Sequence, residues 1–396
     1  MKWHYRRAMS APKSPTFLYA LASAYFALGV ASLAVVGLLE PMVRGLGVTR
    51  GQIAFLVTFF ALAYGVLAPG MQMIVGHLDR RRLILIGLLI IALGCALAAL
   101  STSYVWVSIA RVLMALGAAL VGPMVSAAAA NLVEPQIRGK ALGTAFSGLT
   151  LATVFGIPVT TLLGDLIGWR WSMALVGAVA LVSAIWVATS LPASGGGRRV
   201  SASDLVAVLI DRMLLPAIGI TFFQMTAQFA TYSLIAAVLI QLYGIAPAWL
   251  APALFLYGTG GVIGNIVATS LVDRLGYNRM IFISLGSLSI VFAVLSVLDP
   301  GPVFGVAAMF VWSFFGLMLF APQQMRLVSI APDQQNLLLA LNSSAIYLGM
   351  AAGAAISGIA YEASGPEVLA PLSFVISLLA IASFLTSRRF ERRRHQ

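Results

Sequence analysis

The run LILIGLLIIALGCALAAL at positions 83–100 decides the fold class. It carries no charged residue and follows directly on Gly76-His77-Leu78-Asp79-Arg80-Arg81-Arg82. A segment this long and this apolar crosses a bilayer as one helix. Lipid offers the backbone no hydrogen-bond partner, so the peptide groups must bond to each other.

The same kind of run recurs along the chain. Charges, prolines and glycines bound predicted spans at 17–39, 52–75, 83–100, 104–131, 141–163 and 172–191. A second series follows at 214–240, 251–272, 280–298, 303–329, 337–360 and 371–387. Composition agrees with this count. Of 396 residues, 61% are hydrophobic, enough for roughly twelve spans of roughly 20 residues. Charged residues are 9% of the chain, against roughly 25% in a soluble domain, and the mean hydropathy is +0.99. A soluble globular protein, a disordered chain and a nucleic-acid-binding domain are all excluded. The connections are short, so no sizeable extramembrane domain fits. The apolar stretch 17–39 is longer than a signal-peptide core and reads as an uncleaved first span.

Positive charge sets the expected orientation. With the N-terminus in the cytoplasm, 20 of the 24 Lys and Arg residues fall on that side. Arg44, Arg50 and Arg170 fall outside, and Arg111 lies within a span. The net charge of +12 is thus a topology signal. Both termini are expected in the cytoplasm, in a bacterial inner membrane. Segments 1–16 and 388–396 read as cytoplasmic ends, 17–191 and 214–387 as two six-helix bundles, and 192–213 as a flexible linker.

The halves repeat. Gly117 and Pro123 recur as Gly316 and Pro322, 199 residues on, and Ala141-Leu142 recurs as Ala340-Leu341. Asp79-Arg80 is echoed by Asp273-Arg274. Parallel repeats of this kind are related by an axis along the membrane normal, with a substrate site near the midplane between them. The expected fold is all-α and integral to the membrane, with twelve helices in two pseudo-symmetric bundles.

Enzyme chemistry has no support. Cys95 is the one cysteine, and the histidines are His4, His77 and His395 with no HExxH. No cofactor or metal is expected. Gly258-Thr259-Gly260 is not a nucleotide loop, because no strand precedes it and position 263 is Ile.

A few residues remain that can carry chemistry. Asp79 with Arg80 after the second span could pair across a helix interface and lock one conformation. Arg111 is a charge inside a span, which costs at least ~2.5 kcal/mol on insertion scales. It faces a cavity, or it bonds to neighbouring carbonyls. Its repeat partner is Phe310, so it breaks the internal symmetry. Thr221, Gln224, Gln228, Thr231 and Tyr232 share one helical face. That polar stripe meets either a cavity or another helix. Asn265, Asn342 and Tyr347 could add hydrogen bonds, with Tyr25, Tyr64 and Tyr257 as weaker candidates. Gly260/Gly264 and Gly349/Gly353 have the spacing of close helix contact. No acid lies at mid-membrane. Glu40 and Asp165, at the outer ends of the first and fifth spans, are the best candidates for proton coupling, against their reading as solvated loop acids.

These motifs resemble the major facilitator superfamily, and more narrowly its twelve-helix drug:proton antiporter branch of bacterial drug, sugar and nucleoside exporters. The loop from Gly76 to Arg82 is similar to the family's loop after the second helix, shortened and without the usual glycine after the acid. The second copy, Asp273-Arg274-Leu275-Gly276, keeps that glycine. Arg111 with Gly117 matches the fourth-helix motif, and Gly156-Ile157-Pro158 followed by Gly168-Trp169-Arg170 looks like the fifth-helix antiporter signature. Asn342-Ser343-Ser344 resembles the branch's eleventh-helix pattern. The resemblance implies that Arg111 and the seventh helix line a central cavity, that Gly76, Asp79, Arg80, Asp273 and Arg274 gate it, and that Gly156 and Pro158 form a hinge linked to antiport. Family members often carry acids in the first helix, where this chain has Ala31 and Ser32.

The sequence therefore reads as a monomeric secondary transporter in a lipid bilayer that exports a small organic molecule by alternating access, with protons as a candidate partner. An anion or neutral-metabolite facilitator is the alternative, and a membrane-embedded enzyme the remote one.

Overall fold

The computed structural model describes residues 16–134, 137–193, 208, 210–298 and 301–394. Most of the linker, the first fifteen residues, Asp204 and Asp299 lie outside the described residues. The N-terminal half comprises α1 (Thr16–Gly37), α2 (Leu39–Leu46), α3 (Arg50–Val75), α4 (Arg80–Leu100), α5 (Tyr104–Asn131), α6 (Arg138–Leu151), α7 (Ile157–Ile167) and α8 (Trp169–Ser190). The C-terminal half comprises α9 (Leu214–Tyr232), α10 (Ile235–Gln241), α11 (Leu250–Leu275), α12 (Tyr277–Val297), α13 (Pro302–Leu317), α14 (Phe320–Ile330), α15 (Gln335–Ser364) and α16 (Leu369–Arg394). Eleven helical segments are long and apolar enough to cross a membrane, and twelve when α9 and α10 are taken as one span bent by 46°. Both described ends of the chain fall on one face of the bundle, here the end face; the opposite one is the far face.

Local chemistry sets the helix boundaries. Thr49 and Gln52 form a reciprocal capping box that starts α3. Asp79 starts α4 by accepting from the Arg82 N–H at 2.9 Å. The bend between α9 and α10 follows Ser233, whose hydroxyl bonds back to Phe229 O at 2.8 Å, a pattern that bends helices. α6 and α7 form one span through a π-helical turn, Ala152–Gly156.

The predicted spans differ mainly at their ends. The first stops at Gly37, and Glu40 belongs to the separate helix α2. The last runs on as helix to Arg394, so the basic stretch begun at 388 continues α16. Charges at a helix end leave the backbone free to continue, because water there solvates them.

Small residues let the helices approach closely. Gly117 of α5 and Gly87 of α4 face each other, and a Cβ at Gly87 would lie 2.6 Å from Gly117 O. Gly264 packs on Phe314 of α13, where an added Cβ would sit 2.7 Å from that carbonyl carbon, and one at Gly353 would be 2.9 Å from Ala230 N. Without a hydrophobic drive between helices in lipid, such backbone contact is what associates them. Cys95 is fully buried in α4, 3.0 Å from the Cβ position of Gly177 in α8.

Candidate substrate pathway

The two halves meet along α3 with α15 and along the π turn with α11. The α3 face that carries Gly51, Thr58 and Gly65 at seven-residue spacing is buried. Thr58 donates to Ala351 O at 3.4 Å, and a Cβ at Gly65 would lie 2.8 Å from Leu348. At Gln72, the next position in that register, the face is partly exposed. On α11, Gly258 packs on the π turn, where a Cβ would come 2.6 Å from Val154 Cα. Asn265, seven residues on and so on the same face, is exposed. The halves are therefore joined from the far face to about mid-depth and part toward the end face.

Aromatic rings gather where they part. Tyr64 and Tyr347 lie 3.8 Å apart across the boundary, and Tyr25 stacks on Phe146 at 5.0 Å. Phe155 and Phe255 meet across it at 5.7 Å. The Tyr25 hydroxyl bonds Gly122 O at 2.8 Å and the Ser126 hydroxyl. Of the predicted cavity residues, Tyr347 and Asn265 fall at this boundary, with the weaker candidates Tyr25 and Tyr64.

Arg111 lies away from this opening, inside the N-terminal bundle. It is 0% exposed. Its guanidinium donates to Ala31 O at 2.5 Å, Ser32 O at 2.6 Å and Leu56 O at 3.1 Å, and lies 4.5 Å from the Phe60 ring centroid. One planar cation with five donors ties α1, α3 and α5 together. The polar stripe also turns into its own bundle: Thr221, Gln224, Gln228 and Thr231 each hydrogen-bond inside the C-terminal half, while the buried Gln224 Oε1 has no hydrogen-bond partner among the described residues. Thr221 donates to Asn342 Oδ1 at 2.6 Å, and Gln224 to Gly316 O at 2.7 Å. Gln228 Oε1 accepts from Trp312 at 3.2 Å, and Thr231 shares a hydrogen bond with Ser373 at 2.7 Å. Tyr232 stacks on Tyr257 at 4.4 Å. These groups join α9 to α13, α15, α16 and α11.

The loop residues sit at the helix ends. Gly76 ends α3, its N–H bonding Gln72 O at 3.2 Å. Asp79 caps α4, Arg80 is half-buried, and Arg81 donates to Ala188 O of α8. Asp273 and Arg274 are exposed in the last turn of α11. Gly156 closes the π turn and Pro158 lies in the first turn of α7. Glu40 is held by Arg50 through two hydrogen bonds, at 2.7 and 3.0 Å, and Asp165 is exposed near the end of α7.

Two residues escaped the sequence reading. Glu362, near the end of α15, accepts from Gly51 N–H of the opposite half at 2.8 Å. Arg326, buried in α14, donates to Glu391, Ser387 and Asn278. Their partners lie 311 and 65 positions away along the chain, and no local pattern marks them.

The sequence profile of the Major Facilitator Superfamily matches residues 20–336. This chain belongs to that superfamily. Among its superfamily relatives, the inner membrane transport protein YdhP of Escherichia coli (strain K12) is 29% identical over 374 residues, covering 94% of this chain and 96% of that one. The chloramphenicol resistance protein of Streptomyces lividans is 33% identical over 268 residues, covering 66% and 67%. In fold, the chain is similar to a bacterial homologue of the human lysosomal transporter Spinster, with a TM-score of 0.71 at 14% identity over 96% of this chain and 98% of that one. A peptide transporter POT gives 0.73 at 15% identity, over 93% of each. A superfamily member with twelve apolar spans and these relatives is a multi-pass secondary transporter.

Proposed function

We propose that this transporter exports a small, uncharged organic molecule by alternating access, with both chain ends in the cytoplasm of a bacterial inner membrane. The observation that carries this reading is the boundary between the halves. It is closed at the far face, parted at the end face, and lined at mid-depth by Tyr25, Tyr64, Phe146 and Tyr347. With the chain ends inside, this arrangement opens to the cytoplasm. The charge count supports that orientation, and the two bundles 17–191 and 214–387 would rock about the linker 192–213. The described acids lie at helix ends or in connections, and Arg111 is already bonded within its bundle. A charged substrate would find no counter-ion at mid-depth, where an unpaired charge is costly. Chloramphenicol resistance in a relative favours efflux of a drug-like molecule. Operation as a monomer follows, since one chain supplies both halves of the pathway.

A second reading, facilitated transport without protons, is favoured by one specific observation. Glu40 is engaged by Arg50, and Asp165 stands exposed near the end of α7. Purified protein in liposomes decides between these readings. A panel of neutral, anionic and cationic organic solutes is assayed with and without a pH gradient. Uptake restricted to ions would overturn the neutral-substrate reading, and gradient-independent flux would establish the facilitator.

A further inference from the structure

We propose that Glu362 is the far-face gate residue of this transporter: by capping the first turn of α3 across the boundary, it holds the far side shut. This rests on the alternating-access reading above. Glu362 Oε1 accepts from the Gly51 N–H at 2.8 Å. That N–H is among the first four of α3, which have no partner within the helix, and the positive end of the helix dipole favours a carboxylate there. The contact joins α3 of one half to α15 of the other.

The backbone around it is built for close approach. A Cβ on Gly51 would fall 2.8 Å from Gly358 O and 2.7 Å from Glu362 Oε1, and one on Gly358 would fall 2.9 Å from Gly51 O. The two glycines let the helices cross at backbone distance, so the carboxylate reaches the N–H directly. Glu40 completes the device. Its two hydrogen bonds to Arg50 fix the residue just before Gly51, so the N–H is presented from a braced end.

When the far side opens, α3 and α15 separate there and the cap is lost. Glu362 therefore weights the population toward the end-face-open state. Losing a helix-cap interaction of ~1 kcal/mol changes a two-state ratio about fivefold.

The test is cysteine labelling of purified protein with a maleimide. Ala351→Cys reports the far side, since Ala351 is buried in the closed contact opposite Thr58. Asn265→Cys reports the end-face opening. Glu362→Ala is expected to raise labelling at 351 about fivefold and lower it at 265. Gly51→Ala, which leaves the acid in place but wedges the crossing, is expected to act in the same direction. Glu362→Gln keeps an acceptor and loses the charge, so its rise is smaller. Unchanged labelling at 351 in both Glu362→Ala and Gly51→Ala overturns the proposal. So does a rise at both sites together, which marks loosened folding. The labelling needs no substrate, so failed transport alongside the expected shift would count against the substrate reading alone.

Discussion

The rings of Tyr64 and Tyr347 lie 3.8 Å apart, one from each half of the protein, at the depth where the halves begin to separate. A tilted ring contact across a moving boundary is one that one conformation makes and the other breaks. Tyr347 is partly exposed there and offers an amphipathic ring suited to a ring-bearing molecule. Tyr347→Ala is expected to raise KM for the transported solute roughly tenfold, the effect of ~1.4 kcal/mol. Tyr347→Phe should change it much less. Concentration-dependent flux in liposomes gives both values, and an unaltered KM in the alanine variant would remove Tyr347 from the pathway.

Arg111 bonds to three carbonyls on two other helices. Its loss should be felt first as instability. Arg111→Ala is expected to lower the melting temperature in detergent by several degrees, because interhelical hydrogen bonds in membranes are worth ~0.6 kcal/mol each and the side-chain volume is lost as well. Arg111→Lys keeps the charge but lacks the planar fork, and should fall between. A wild-type melting curve for Arg111→Ala, with transport abolished, would instead return the residue to a direct role in the pathway.

Gln228 and Trp312 make the contrasting case within the C-terminal half. Gln228→Leu leaves the buried Trp312 N–H without its acceptor, a cost of about 1–3 kcal/mol. Expected is a lower melting temperature with substrate preference intact. A changed preference at unchanged stability would show that the polar stripe reaches substrate after all.

The far-face acids can be tested together. Glu40→Gln breaks the pair with Arg50 and should weaken the far-face closure, whereas Asp165→Asn should leave transport as it is. Flux under an imposed pH gradient reads both. Loss of gradient dependence in Asp165→Asn would establish it as a coupling group.

The fold was legible because its determinants are local and additive. Runs such as 83–100 must be helices in lipid, and the 199-residue echo of Gly117 in Gly316 announces the two bundles. The superfamily motifs around Arg111 and Gly156 were legible for the same reason. The orientation of polar groups was not. Arg111, Gln224 and Gln228 look like cavity residues in the sequence, because a polar residue in a span needs a partner and the sequence does not say whether that partner is solvent or a neighbouring carbonyl. In this structure Arg111 and Gln224 bond to carbonyls and Gln228 to the Trp312 indole N–H. Glu362 lies two residues past the predicted span 337–360, and its partner Gly51 depends on a helix crossing no local pattern records.

The π turn at Ala152–Gly156 has a consequence for sequence length. A π turn amounts to one residue more than an α-helix needs over the same rise. That extra residue sets how α6 is rotated relative to α7. In this rotation Gly148 of α6 meets Ala22 and Phe26 of α1, while Gly164 of α7 meets Leu38. Deleting one residue here would swing one half of the span by about 100° and turn one of those faces away from its partner. A change in the length of 152–156 therefore shifts a whole helix face, beyond the local clash that a side chain at Gly156 would make with Val30. Among natural variants of this transporter, the count of residues between Gly148 and Gly164 should be held more strictly than their identities.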